Sequence, residues 1–323
     1  MKVKRAVVFL SLLAALVLLF SWLIDPAYWF LRGKIQNRDR AYGGIAAEEP
    51  NTIDVLILGD SESYSSVSPL ELWQRTGIAA YVCGQSSQRI PETYYMLKTA
   101  LKNQKPKLII LETNLLFRTE EPQKGLETAL MEGIRYYAPV FRHHDLWKAF
   151  FQEKSEIGSF YKGFELREEV IPYEKGEYME ATRKKEPISP YVKGYLDRIR
   201  RLCEDINVPL LLLSAPTPKH FTVQKYNAIS EYANRYGLAY LDFNHRISEL
   251  GIDWSVDTMD AGDHLNLSGA QKVTAYLADY LKKNYQWKDH RIEEVYQSWN
   301  MEAAYYQRKA AESLAVIRKK LPV

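Results

Sequence analysis

Cysteine is scarce in this chain: Cys83 and Cys203 are the only two among 323 residues. Two thiols do not make a disulfide framework. A single bridge would require an oxidising compartment, and two buried thiols are the expectation. No Cys/His spacing resembles a zinc site. An excess of charge is missing too. The net charge is +3, and Lys2, Lys4 and Arg5 account for all of it, so the rest of the chain is balanced. No lysine- or arginine-rich stripe calls for a phosphate backbone, which argues against nucleic-acid binding. Aromatic residues, by contrast, are plentiful: 23 Tyr, 11 Phe and 7 Trp make up 13% of the chain. Such rings fill cores, and they also make platforms for sugar rings. With 46% hydrophobic and 26% charged residues, there is ample material for a core.

The apolar run from Ala6 to Ile24 contains no charge, and Ser11 and Ser21 are its only polar residues. As a helix at about 1.5 Å per residue it just spans a ~30 Å hydrocarbon layer. Trp22, Tyr28 and Trp29 follow where an aromatic belt belongs. The basic residues precede the run, so the positive-inside rule predicts a cytoplasmic N-terminus with everything after Asp25 outside. A cleaved signal peptide would need small residues after the run. Phe20-Ser21-Trp22-Leu23-Ile24-Asp25-Pro26 offers bulky ones instead, which favours a retained anchor in residues 1–30. Residues 31–50, with Gly43-Gly44 and Glu48-Glu49-Pro50, read as a polar tether.

Beyond the tether the pattern changes. Short apolar runs at Ile53–Leu58, Ala79–Cys83, Lys107–Leu111, Val208–Ser214 and Leu238–Phe243 read as strands. Helical segments are predicted over Pro69–Arg75, Pro91–Asn103, Pro190–Ile206, Phe221–Tyr236 and Ser268–Tyr285. Strands alternating with helices predict an α/β domain over residues 51–285 with a parallel sheet, whose sites lie at the carboxyl ends of the strands. Residues 115–189 lack strand alternation and read as an insertion. In the tail, residues 286–323, Ile292, Tyr296, Trp299, Tyr306, Ala310, Leu314, Ile317 and Leu321 recur at helical spacing. That predicts an amphipathic helix, packed on the domain or offered to a membrane partner.

The first strand runs into Gly59-Asp60-Ser61-Glu62-Ser63. A serine at the end of a parallel strand, on a turn opening toward a helix, sits where a nucleophile reaches substrate and where its own N–H can face an oxyanion. Taken alone, Gly-Asp-Ser is ordinary turn chemistry. Serine needs a base. Among six histidines, His264 stands in Asp260-Ala261-Gly262-Asp263-His264-Leu265-Asn266, just before the closing helix. Taken alone, this acidic loop reads as solvated or as calcium-binding.

The two blocks together, in this order and spanning the sheet, resemble the SGNH (GDSL-like) hydrolase superfamily. The likeness runs from about Asn51 to Tyr285. It is closer still to membrane-anchored Gram-positive members associated with acylation or deacylation of envelope polymers, such as the D-alanyl-lipoteichoic-acid protein DltD and polysaccharide O-acetylation proteins. The resemblance implies a three-layer flavodoxin-like fold, Ser61 as nucleophile and His264 as base. Gly84 after the second strand and Asn114 after the third would be oxyanion donors. Asn114 lacks the family's usual Gly-x-Asn and reads equally as loop chemistry. The family's acid stands three residues before histidine, and here that position is Ala261. A turn through Ala261-Gly262 would bring Asp260 back to the imidazole, so Asp260 is the expected acid, with Asp263 and Asp257 as substitutes. The implied function is a serine esterase or O-acyltransferase acting on an O-acylated carbohydrate, with no metal or cofactor. A multi-span membrane O-acyltransferase is a candidate partner. The alternative is a non-catalytic accessory of such an enzyme.

Overall fold

The computed structural model describes residues 2–35, 39–118, 121–143 and 160–320. Near the N-terminus come helices α1 (Lys2–Leu23), α2 (Pro26–Leu31) and α3 (Arg40–Ala47). Helix α1 is the one described helix long and apolar enough to cross a membrane. Asp25 ends it and caps α2, its carboxylate accepting from Ala27 N at 3.0 Å.

The apolar runs form β1 (Val55–Gly59), β2 (Ala80–Gly84), β3 (Leu108–Glu112), β4 (Leu210–Ser214) and β5 (Ala239–Asp242), all parallel, in the order β2-β1-β3-β4-β5. Both faces are covered, so β1, β3 and β4 are buried at every residue and read as continuous apolar stretches, not as alternation. Successive residues still part between two cores. Leu56, Leu58, Ile109 and Leu111 join one, and Val55, Ile57, Leu108 and Ile110 join the other. The winding reverses between β1 and β3, which opens a crevice at their carboxyl ends.

Between the strands lie α4 (Ser61–Ser66), α5 (Pro69–Thr76), α6 (Ile90–Ala100), α7 (Pro122–Tyr137), α8 (Pro190–Asp205) and α9 (Val223–Tyr236), and after β5 come α10 (Ile247–Leu250) and α11 (Leu267–Asn284). Helix α5 has its signals in the sequence: the Ser68 hydroxyl accepts from Glu71 N, Pro69 occupies the first turn, and Gly77 closes it at φ +72°. Val273, Leu277 and Leu281 of α11 fill the second core.

Residues 31–50 differ from the tether expected of their composition. Helix α3 lies within them, and its Ala41, Tyr42 and Ile45 are buried in the first core. Glycine-rich, small-residue sequence hides this helix because Gly43 and Gly44 are there for close approach. A Cβ on Gly44 would stand 2.1 Å from the Tyr81 hydroxyl.

Helix α12 (Gln297–Lys319) carries the expected stripe on the domain. Trp299, Tyr306, Ala310 and Ile317 are buried, and the Trp299 ring lies 5.2 Å from that of Trp73. Ile292 departs from the stripe. It precedes the helix and is 94% exposed. Leu321 lies outside the described residues. Cys83 and Cys203 are both free and buried.

Candidate active site

Helix α4 begins at the residue after Asp60, because the Asp60 carboxylate accepts from Glu62 N at 3.0 Å and caps it. Ser61 is therefore the first residue of a short helix directly above β1, and it is largely buried. Two glycines make room for this turn. A Cβ on Gly59 would lie 2.7 Å from those of Ser63 and Glu112, and one on Gly84 would lie 2.4 Å from Ser63 Oγ and 2.9 Å from the Asp60 carbonyl. Glycine at both positions has a packing reason before any catalytic one.

Asp60 is itself held from the third strand. Its Oδ2 accepts from Asn114 Nδ2 at 3.1 Å and from Arg118 Nε at 2.6 Å. Asn114 heads a 3₁₀ turn, Asn114–Phe117, after β3. The structure thus ties Asn114 to the Ser61 turn through Asp60, and its amide carries a second N–H. Arg118 was invisible as a site residue in the sequence. It lies one helical turn past Asn114, and only the fold brings it across to β1.

The loop after α10 supplies the histidine. Ala261 at φ +60° and Gly262 at φ +85° both adopt the left-handed conformation. For alanine this costs roughly 1–2 kcal/mol, and the surroundings hold it: Ala261 N donates to the Ile171 carbonyl, and Gly262 N to Thr258 Oγ1. The turn reverses the chain so that Asp260 Oδ2 lies 2.7 Å from His264 Nδ1, while Oδ1 accepts from His264 N at 2.7 Å. Asp263 is held by other partners. Its oxygens meet Lys219 Nζ at 2.8 Å and His220 Nε2 at 2.7 Å, and its nearest approach to His264 Nδ1 is 3.7 Å. Burial alone would raise the Asp263 carboxyl, but the hydrogen bonds from His220 and Lys219 outweigh it and hold it well below the usual range. Asp257 is not brought to the imidazole. It is buried against Lys272 Nζ at 2.5 Å and Asp253 N at 2.7 Å.

His264 faces the start of α4. One ligand atom each of His264, Asp263 and Glu62 lie within 4.8 Å of one another. Among the described residues no hydrogen bond joins Ser61 Oγ to His264; in the absence of substrate such contacts are often long. Burial, with Asp60, Glu112, Asp263 and Asp260 around it, pushes the Glu62 carboxyl well above its ordinary pKa. Burial and the nearby Asp60 do the same to Glu112 at the end of β3.

Two cavities flank this arrangement. One of about 470 Å³ opens between Gly84, Ser86, Tyr64, Phe164 and Arg40. Another of about 640 Å³ lies over the end of β5, among Tyr173, Tyr178, Trp254 and His245. Tyr173 joins it to the His264 loop, since a Cβ on Gly262 would stand 2.9 Å from its ring.

Two of the solved structures this chain resembles are a G-D-S-L-type and an acylhydrolase-type protein. One, from Desulfitobacterium hafniense DCB-2, is assigned as a lipolytic protein of the G-D-S-L family; it is 14% identical, with a TM-score of 0.38, over 71% of this chain and 99% of that one. The other, from Bacteroides fragilis NCTC 9343, is assigned as an acylhydrolase; it is 11% identical, with a TM-score of 0.40, over 76% of this chain and 95% of that one. No protein-family model and no curated protein matches the sequence.

Proposed function

We propose that the protein is a serine esterase or O-acyltransferase of the SGNH type, acting outside the membrane on an O-acylated carbohydrate. The observation that carries this reading is the Asp260–His264 pair, with 2.7 Å between Oδ2 and Nδ1, facing a turn headed by Ser61. A carboxylate on Nδ1 fixes the tautomer that leaves Nε2 as base and stabilises the imidazolium that forms.

In this reading Ser61 Oγ attacks the ester carbonyl carbon and its proton passes to His264 Nε2. The oxyanion is held by the Ser61 and Gly84 N–H groups and the second N–H of Asn114. His264 returns the proton to the departing sugar oxygen, leaving an acyl-serine. Water attacking the acyl-serine completes hydrolysis, and a second sugar hydroxyl completes transfer. The aromatic cavity beside the His264 loop supports a carbohydrate substrate, because Tyr173, Tyr178 and Trp254 offer apolar ring surface next to polar groups. Helix α1 supports membrane attachment, and the basic residues before it support an outward-facing domain.

A second reading, a non-catalytic accessory of a membrane O-acyltransferase, has support in the engagement of Asn114 Nδ2 by Asp60. Ser61→Ala separates the two. Cleavage of an activated acetyl ester by the wild type, abolished in Ser61→Ala, supports the enzyme. Wild-type protein that binds its partner but cleaves no ester, with the variant equal to it in both assays, overturns the enzyme.

A further inference from the structure

Five carboxyl groups crowd the carboxyl ends of β1 and β3 and the His264 loop: Asp60, Glu62, Glu112, Asp260 and Asp263. The fixed cations facing them, Arg118, Lys219 and Lys225, are fewer. Four of the five acids have partners. Asp60 holds Asn114 and Arg118, Glu112 accepts the Asn114 N–H, Asp260 holds His264, and Asp263 holds Lys219 and His220. Glu62 has none. It is 1% exposed, and neither of its carboxyl oxygens meets a donor among the described residues. An unpaired buried carboxyl is destabilising, and more so when ionised. One of its oxygens lies within 4.8 Å of a ligand atom of Asp263 and one of His264.

We propose that Glu62, Asp263 and His264 form a site for a divalent cation of the zinc type, whose occupancy silences Ser61. One imidazole and two carboxylates suit zinc, and three protein ligands leave a fourth position open. Calcium asks for six to eight oxygens, which this cluster does not offer. The surroundings are those a metal-binding group needs. Asp260 holds His264 Nδ1, orienting the ring and leaving Nε2 for the cation, while Lys219 and His220 hold the Asp263 carboxylate from outside. Nε2 is also the nitrogen that must take the Ser61 proton, so metal and catalysis exclude one another. The silencing half of the proposal rests on the ester-cleaving reading; the binding half does not.

The test is calorimetry of the full chain in detergent, stripped with a chelator and titrated with zinc chloride, beside ester-cleavage assays of the same samples. Wild type and Ser61→Ala are expected to bind one zinc alike. Glu62→Gln, with its melting temperature checked, is expected to bind at least about tenfold more weakly, as is Asp260→Asn through its loss of support to His264. Zinc should stop ester cleavage by the wild type, chelator should restore it, and Glu62→Gln should resist inhibition. Absence of binding heat at millimolar zinc, or equal affinity in Glu62→Gln, overturns the site. Binding with undiminished cleavage overturns the silencing. If no sample cleaves ester, the function proposed above fails, and the calorimetry still decides the site.

Discussion

At the scale of single residues, the proposed pairing of acid and base comes down to one left-handed turn. Asp260 reaches both the ring and the backbone of His264, whereas Asp263 is committed to Lys219 and His220. Asp260→Asn should keep the fold, since the side chain is nearly isosteric, yet reduce turnover by roughly three to four orders of magnitude through the wrong imidazole tautomer. Asp263→Asn should reduce it far less. Turnover of an activated acetyl ester, with folding checked by circular dichroism, measures both. Equal and mild losses would point to a Ser–His dyad, and a severe loss confined to Asp263→Asn would make that residue the partner.

At the scale of elements, α4 is held by what is absent beneath it. Its first turn rests on Gly59 and Gly84, and Gly84→Ala places a methyl 2.4 Å from Ser63 Oγ. The expected result is destabilisation by about 1–3 kcal/mol, read as a lower denaturant midpoint, together with slower ester cleavage as the Ser61 turn shifts. An unchanged midpoint would show that the turn has slack. Helix α12 is a structural element of the domain. Trp299 is 2% exposed and packs on Trp73 and Tyr296, so Trp299→Ala should cost about 3–5 kcal/mol. A loss under about 1 kcal/mol would instead fit a detachable helix used only for docking.

At the scale of the whole molecule, the question is which side of the membrane the domain occupies. The native thiols give a quiet background. Burial pushes the Cys83 thiol up, and burial with the nearby Glu204 raises Cys203 to about 12, so neither offers a thiolate near neutral pH. Ile292 is 94% exposed. Ile292→Cys on intact cells should therefore be the site labelled by a membrane-impermeant maleimide. Labelling only after lysis would place the domain inside and remove an extracellular carbohydrate as substrate. Helix α3 packs on β2 and α6 and so belongs to the domain.

Much of this architecture was legible in the sequence because burial on both faces leaves a plain mark. Short runs such as Leu-Ile-Leu-Gly and Leu-Leu-Leu-Ser, closed by turn residues, fit inner strands, and Ser68-Pro69 with Gly77 brackets a helix by local hydrogen bonding. Ser61 and His264 stood out as candidates for a different reason, each lying at a boundary between elements. The rest depended on distance in the chain. Helix α3 was missed because its glycines serve neighbours contributed by Phe30, Tyr81 and Phe160, which local pattern does not reveal. Arg118 meets Asp60 across 58 positions, and Lys219 meets Asp263 across 44. The sequence alone thus determined the sheet, the likeness to a serine hydrolase and the short list of acids beside His264. Only the tertiary structure decided which acid faces Nδ1 and left Glu62 buried without a partner, because charge pairing depends on which chain segments the fold brings within a few ångströms.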